Sequence, residues 1–404
     1  MRASALLLLL FVVLLAACAG ARRTDHVLDP EGLSENAREL WLEARAAAWD
    51  GRRDQAIDAL EGVARVHPAH VPTRLWLTDL RAERDGDEAE RERLADAAER
   101  GGWIDALLFA RLEPEAETRL VRYEALLAAN PSEVWLALAV ADAALDAYGE
   151  ASAEAQRRRD DGTIEGQERA QVADLEAARA LRRAEAVATD AVRRRPRLVP
   201  ARWRQAEVLA ILAARETDRE RALELRREVI EAYDSALAVD PDDVPSLVGR
   251  ADAHRRGNAH GAARDDLRRA ARVNPGSAVI RQDLAVIAYE MGDFALAERE
   301  FRAAVERRPR DADLRRNLGD ALAALDRFAD AGREYAAALR IRPDDASVIE
   351  RLGNLALRLD DPKEAMRHYE RYLEIGGPNP ERVRAAIRRA GEARRAAARR
   401  RTGG

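Results

Sequence analysis

Six histidines, one cysteine and a few acidic pairs are the residues through which this chain could do chemistry. His67 and His70 flank Pro68, His254 and His260 bracket Gly257-Asn258, and His26 and His368 stand apart. Zinc takes three or four ligands converging at short fixed spacings. No third ligand falls beside either histidine pair, so they read as turn and surface residues and no metal is expected. The pairs Asp242-Asp243 and Asp344-Asp345 each follow a proline, Pro241 and Pro343, at matched intervals. Carboxylates just ahead of a helix accept its first free N–H groups. Capping is therefore the reading, with Asp242, Asp311 and Asp344 as the caps, rather than calcium ligation or acid–base work. Ser246, Ser277 and Ser347 stand where helices should begin, with no base placed to activate them. No glycine-rich phosphate loop, HExxH, nucleophile elbow or CxxC occurs. The chain reads as a non-enzyme with no catalytic residue, no cofactor and no small-molecule substrate.

What remains is architecture. The 404 residues are 47% hydrophobic and 35% charged but only 4% aromatic. Ala, Leu, Arg and Glu, all strong helix formers, dominate, and the β-branched and aromatic residues of sheets are sparse. An all-α fold follows, in a chain long enough for two or three units at ~150 residues each. Net charge is −5, from 68 basic and 73 acidic residues. No overall field favours nucleic acid, which is not expected as a partner.

Residues 1–21, MRASALLLLLFVVLLAACAGA, place Arg2 ahead of an apolar run from Leu6 to Leu15, then small residues and Cys18. That order is the pattern of an export signal; an uncleaved anchor or a plain signal peptide are the alternatives. The stretch Leu15-Ala16-Ala17-Cys18 resembles the lipobox of bacterial lipoproteins. The resemblance implies removal of 1–17 and lipidation of Cys18, by palmitate among other acyl chains. Two or more such chains hold a protein stably at a bilayer. Ala19, where that family's inner-membrane proteins usually carry Asp, implies the periplasmic face of an outer membrane, or the outer face of a single cell membrane. Residues 18–36 would be the lipidated start and a polar tether.

Periodicity organises the rest. Pro241, Pro275, Pro309 and Pro343 are each 34 residues apart. With this proline as position 32, position 20 is Ala263, Ala297, Ala331 and Ala365, and position 24 is Leu267, Phe301, Tyr335 and Tyr369. Position 27 is Ala270, Ala304, Ala338 and then Tyr372, and positions 7 and 8 read Leu318-Gly319 and Leu352-Gly353. The pattern resembles the tetratricopeptide repeat (TPR). It implies an α-solenoid: a right-handed superhelix of antiparallel helix pairs in which small residues admit a neighbouring helix and stacking buries a face no single pair could bury.

The same ruler runs upstream with a weaker fit and gives nine units. N-terminal repeats occupy 37–133. Two expanded repeats occupy 134–243, the first with a charged helical insertion at 149–178 that should project as a hairpin, the second with about ten extra residues between its helices. Four regular repeats fill 244–379, and 380–404 forms a capping helix with an Arg-rich tail.

In the tetratricopeptide family the concave face is lined by first-helix positions 2, 5, 9, 12 and 13. Carried over, these include Gln282, Val286, Tyr289 and Glu290, then Arg316, Asp320 and Ala324, then Glu350, Asn354 and Arg358, with Val248, Asp252, Arg255 and Arg256 in the unit before. Guanidinium and amide groups there suit a peptide or protein partner. The single lysine, Lys363, lies elsewhere, so the family's clamp for a free carboxylate is missing. The basic tail of Arg384, Arg388, Arg389, Arg394 and Arg395 suits a helix C-terminus or an anionic lipid or polymer. The expectation is a membrane-anchored, non-catalytic scaffold in the bacterial envelope. The alternatives are an accessory protein that binds polymer or anionic lipid through its tail, or a regulator of a cell-wall hydrolase.

Overall fold

The computed structural model describes residues 32–49 and 51–402, without the side chains of 49 and 393–402. Every regular element among them is an α-helix, and there are nineteen. The chain divides into two compact units, ending at Gly257 and beginning at Asn258.

The first unit holds α1 (Glu35–Trp49), α2 (Arg53–Val66), α3 (Val71–Asp85), α4 (Asp87–Arg100), α5 (Trp103–Arg111) and α6 (Ala116–Ala129). Two long helices follow, α7 (Val134–Asp160) and α8 (Ile164–Arg194), then α9 (Val199–Arg215), α10 (Arg219–Leu237) and α11 (Val244–Arg256). The second unit holds α12 (His260–Val273), α13 (Ala278–Glu290), α14 (Phe294–Arg307), α15 (Ala312–Ala324) and α16 (Phe328–Ile341). It ends with α17 (Ala346–Arg358), α18 (Pro362–Glu374) and α19 (Pro380–Thr402).

Packing in the second unit follows the period. Ala263, Ala297, Ala331 and Ala365 are wholly buried, as are Ala270, Ala304 and Ala338. The large residues of position 24 are buried beside them, so each pair closes small against large. In the last pair Tyr372 replaces the small residue of position 27, and its ring fills the space beside Gly377. Helix α19 covers the end of this stack, burying Val383, Ala386 and Ala390 against Ile349, Tyr369 and Tyr372. One core cluster of the first unit holds Trp41 and Trp76, two buried indoles edge to face at 5.5 Å.

Two local expectations change. The caps of α11 and α17 are Asp243 and Asp345, not Asp242 and Asp344: their carboxylates accept from the N–H of Ser246, and of Ser347 and Val348. The cap must have extended backbone one residue before the helix, and that residue is position 34, also occupied by Ser277, Asp311 and His70. Asp242 instead donates its own N–H to Asp240. The extra residues expected between α9 and α10 lengthen both helices, to 17 and 19 residues, leaving only the turn at 216–218. Asp218 caps α10, accepting from the Arg221 N–H.

Proline stops a helix by withholding an N–H, and α12, α14 and α16 stop two residues before Pro275, Pro309 and Pro343, whereas α4 and α18 end ahead of glycine pairs. The proline carbonyl is then taken by a guanidinium. Arg74, Arg202, Arg281 and Arg315, each six residues past a proline, donate to the carbonyls of Pro68, Pro196, Pro275 and Pro309. Arg194 and Arg371, on second helices, do the same for Pro131 and Pro343. Each clasp ties the end of one helix pair to the next.

Candidate binding face

In the second unit the stacking of successive pairs brings Asp320 of α15, Tyr335 of α16 and Arg351 of α17 together. The Tyr335 hydroxyl donates to Asp320 Oδ1 at 2.6 Å. Arg351 Nε donates to both Asp320 oxygens, at 2.6 and 2.9 Å, linking α15 to α17. Burial, and then the Asp320 carboxylate, push the Tyr335 hydroxyl far above its ordinary range. Tyr289 of α13 lies in the same field: burial raises it first, Asp320 raises it further and Arg351 opposes. Its ring is 39% exposed and meets Phe294 edge to face at 5.2 Å.

Most residues expected to face a partner are engaged within the chain. Gln282 accepts from Arg308 at 3.0 Å, and Arg316 donates to Asp313 at 2.6 Å and to Asn317. Glu350 is paired with Arg382 of α19. Asn354 accepts from the Tyr369 hydroxyl at 2.7 Å. Arg358 lies over the Phe328 ring at 5.1 Å and reaches Asp326 at 3.2 Å, yet stays largely exposed. The surface offered outward is thus an aromatic edge (Tyr289), an exposed amide (Asn354) and a guanidinium (Arg358). In the first unit, Asp252 pairs with Arg255 and Arg256 along α11.

Arg351 was not among the residues expected on this face. The signal was there: an arginine at position 6 follows an aspartate at position 9 of the unit before, one hairpin apart. Also unforeseen are the buried and half-buried ion pairs of the first unit. Asp79 takes both Nε and Nη2 of Arg111 at 2.6 and 2.9 Å, with the carboxylate only 1% exposed. Arg204 reaches Asp142 at 2.5 Å while lying over Trp203. Burial pushes the Asp142 carboxyl up, against the pull of Arg204 and Arg111. These pairs join helices of irregular length, where no fixed spacing could announce them.

Four of the described histidines have partners within the chain. His70 Nδ1 accepts from the Thr73 N–H, His67 contacts Ser34, His260 faces Glu290 at 3.4 Å and His368 faces Glu364 at 3.2 Å. Among the described residues, no group of three or more His, Cys, Asp or Glu side chains could hold a metal. No described helix is long and apolar enough to cross a membrane. On α19, Arg384 pairs with Glu381, whereas Arg388 and Arg389 are exposed with no carboxylate partner among the described residues. The side chains of Arg394 and Arg395, and Cys18 altogether, lie outside the described residues.

Comparison with known proteins agrees on the repeat. A family model described as tetratricopeptide repeat matches residues 283–346, from within α13 to the start of α17. No curated protein matches the chain. Among solved structures the chain is similar to YrrB, described as a TPR protein with an unusual peptide-binding site. Identity is 16% over 51% of this chain and 97% of that one, with a TM-score of 0.42. It is similar to a thermophilic TPR protein of Thermus thermophilus, at 20% identity over 51% and 90% of the two chains and a TM-score of 0.40. It is also similar to MamA, at 19% identity over 39% and 92%, with a TM-score of 0.37.

Proposed function

We propose that the chain is a non-catalytic scaffold that holds a protein or peptide partner against the first-helix face of its second unit, while a lipid on Cys18 keeps it at the bacterial envelope. The observation that carries this reading is the trio left outward on that face: Tyr289, Asn354 and Arg358. An aromatic edge, an amide and a guanidinium suit a polypeptide, whose backbone supplies carbonyls and whose side chains supply apolar and carboxylate groups. The ion pairs beneath them, Asp320–Arg351 above all, hold the neighbouring helices in register, so the face is built before a partner arrives.

The test places a photo-crosslinking phenylalanine at position 289 of the full chain in cells. A discrete polypeptide adduct that Asn354→Ala and Arg358→Ala both diminish is the result expected. An adduct indifferent to both changes, and abolished by deleting 149–178, would move the binding surface to the α7–α8 hairpin. Anchoring is tested separately with a fatty-acid analogue, which should label the wild type and not Cys18→Ser.

A second reading, anionic polymer or lipid bound through α19, is favoured by Arg388 and Arg389, exposed and without a carboxylate partner among the described residues. It requires affinity that falls steeply with salt and disappears when both arginines become Gln.

A further inference from the structure

Helices α7 and α8 are 27 and 31 residues long, against 13 or 14 for α12 to α18. At ~1.5 Å per residue, their shared tip at 161–163 extends roughly 20–25 Å further than an ordinary pair would reach. One face of α8 buries Gly166, Ala170, Ala173, Ala177 and Leu181. The opposite face carries Glu165, Glu168, Val172, Leu175, Arg179 and Arg182, spaced three and four residues apart in alternation, and all six are exposed. Such spacing places them in one stripe along the helix. Val172 and Leu175 are more than half exposed, large apolar side chains facing water at its centre. Glu165 pairs with Arg169 on its own helix. Glu168, Arg179 and Arg182 have none among the described residues.

We infer that this stripe of α8 is a self-association surface whose occupant is α8 of a second copy, laid antiparallel. The charge order argues for that occupant. Read from its N-terminal end the stripe runs acidic, acidic, apolar, apolar, basic, basic, and reversing it produces its complement. With a two-fold axis between Ala173 and Asp174, Val172 meets the partner's Leu175, Glu168 the partner's Arg179, and Glu165 the partner's Arg182. Each contact is then made twice, as an isologous interface requires. A parallel partner would set like charges side by side. The apolar centre is short, so the association is weak alone and matters where copies are crowded together, as a shared anchor would arrange.

Two differently tagged copies of the full chain, co-expressed and crosslinked in the cells before extraction in non-ionic detergent, test the inference. Wild-type copies should capture each other. Glu165→Arg with Glu168→Arg makes the stripe basic at both ends, and Arg179→Glu with Arg182→Glu makes it acidic at both ends. Each variant should lose self-capture by about tenfold or more, while the two mixed together should recover it, since every contact across the axis is again opposite in sign. All four changes are at exposed positions, and unchanged helix content and melting temperature check that folding is intact. Absence of wild-type capture, capture that neither reversal weakens, or a mixed pair that fails to recover would each overturn the inference. Tyr289→Ala should leave the capture unchanged, which separates this surface from the first-helix face.

Discussion

A β-carbon on Gly319 would lie 2.5 Å from Cε1 of Tyr335, inside any real contact. The same holds one unit later for Gly353 and Tyr369, at 2.4 Å. The glycine at position 8 and the ring at position 24 are therefore one device: the missing side chain lets the ring lie across the facing helix, and the ring delivers its hydroxyl to Asp320 or Asn354.

Gly319→Ala or Gly353→Ala should accordingly destabilise the second unit by about 1–3 kcal/mol. The obstacle is a rigid buried ring, and overpacking of that order outweighs the ~1 kcal/mol that alanine gains as a helix former. Gly391→Ala, in α19 with open space around its Cα, should be neutral or stabilising. Urea midpoints of the three variants decide it; equal midpoints would show that the ring moves aside freely.

Removing Arg111 should be among the most damaging single changes. Arg111→Met leaves the Asp79 carboxylate buried without its bidentate partner, which costs about 3–5 kcal/mol. Asp79→Leu combined with Arg111→Met should recover a good part of the loss, because the buried carboxylate goes too. A double variant no more stable than Arg111→Met alone would contradict the account.

Capping separates two adjacent carboxylates. Asp345→Ala removes acceptors from the Ser347 and Val348 N–H groups and should cost about 1 kcal/mol, whereas Asp344→Ala, exposed and 3.8 Å from Arg371, should cost little. Thermal melts of the pair are enough; the reverse order would restore the proline-adjacent residue as the cap.

Alkali should expose the tyrosine at the last hairpin. Burial pushes the Tyr369 hydroxyl from 10.0 up to about 12, with Glu350 adding to the shift. Between those values the unfolded chain gives up the proton first, so the folded state binds more protons and stability falls as pH rises. Below pH 10 the contribution is complete. Tyr369→Phe should cost about 1 kcal/mol at neutral pH for the lost hydrogen bond, and the decline above pH 10 should become shallower. An unchanged alkaline slope would mean that this hydroxyl ionises as readily folded as unfolded.

The period of 34 was legible because two kinds of residue mark it without help from context. Proline is excluded from a helix interior and so marks a helix boundary, and alanine or glycine at a crossing leaves room for the facing helix, with Tyr372 the exception in the last pair. Caps were legible only to within one residue. Asp242 and Asp243 are the same chemically, and the backbone alone decides which has the extended conformation. The binding face was harder to read for a different reason. Its positions came by analogy with the family, which says which residues line a face but not which of them bond one another. Gln282, Arg316, Asp320 and Glu350 thus stood as contacts for a partner although each is held by a neighbour in the chain, and Arg351, which locks Asp320, went unseen. In the first unit, Asp79–Arg111 and Asp142–Arg204 depend on how helices of unequal length cross, and no spacing along the chain records that.

The proline carbonyls carry one more consequence. Every clasp found on them is made by a guanidinium, in a chain with a single lysine. Guanidinium keeps its proton past pH 12 and a carbonyl has none to lose. The clasps themselves thus involve no carboxylate and no imidazole. A protein stitched this way keeps these ties while the medium around it sours or sweetens, and leaves any response to acidity to the carboxylates that cap and pair beside them.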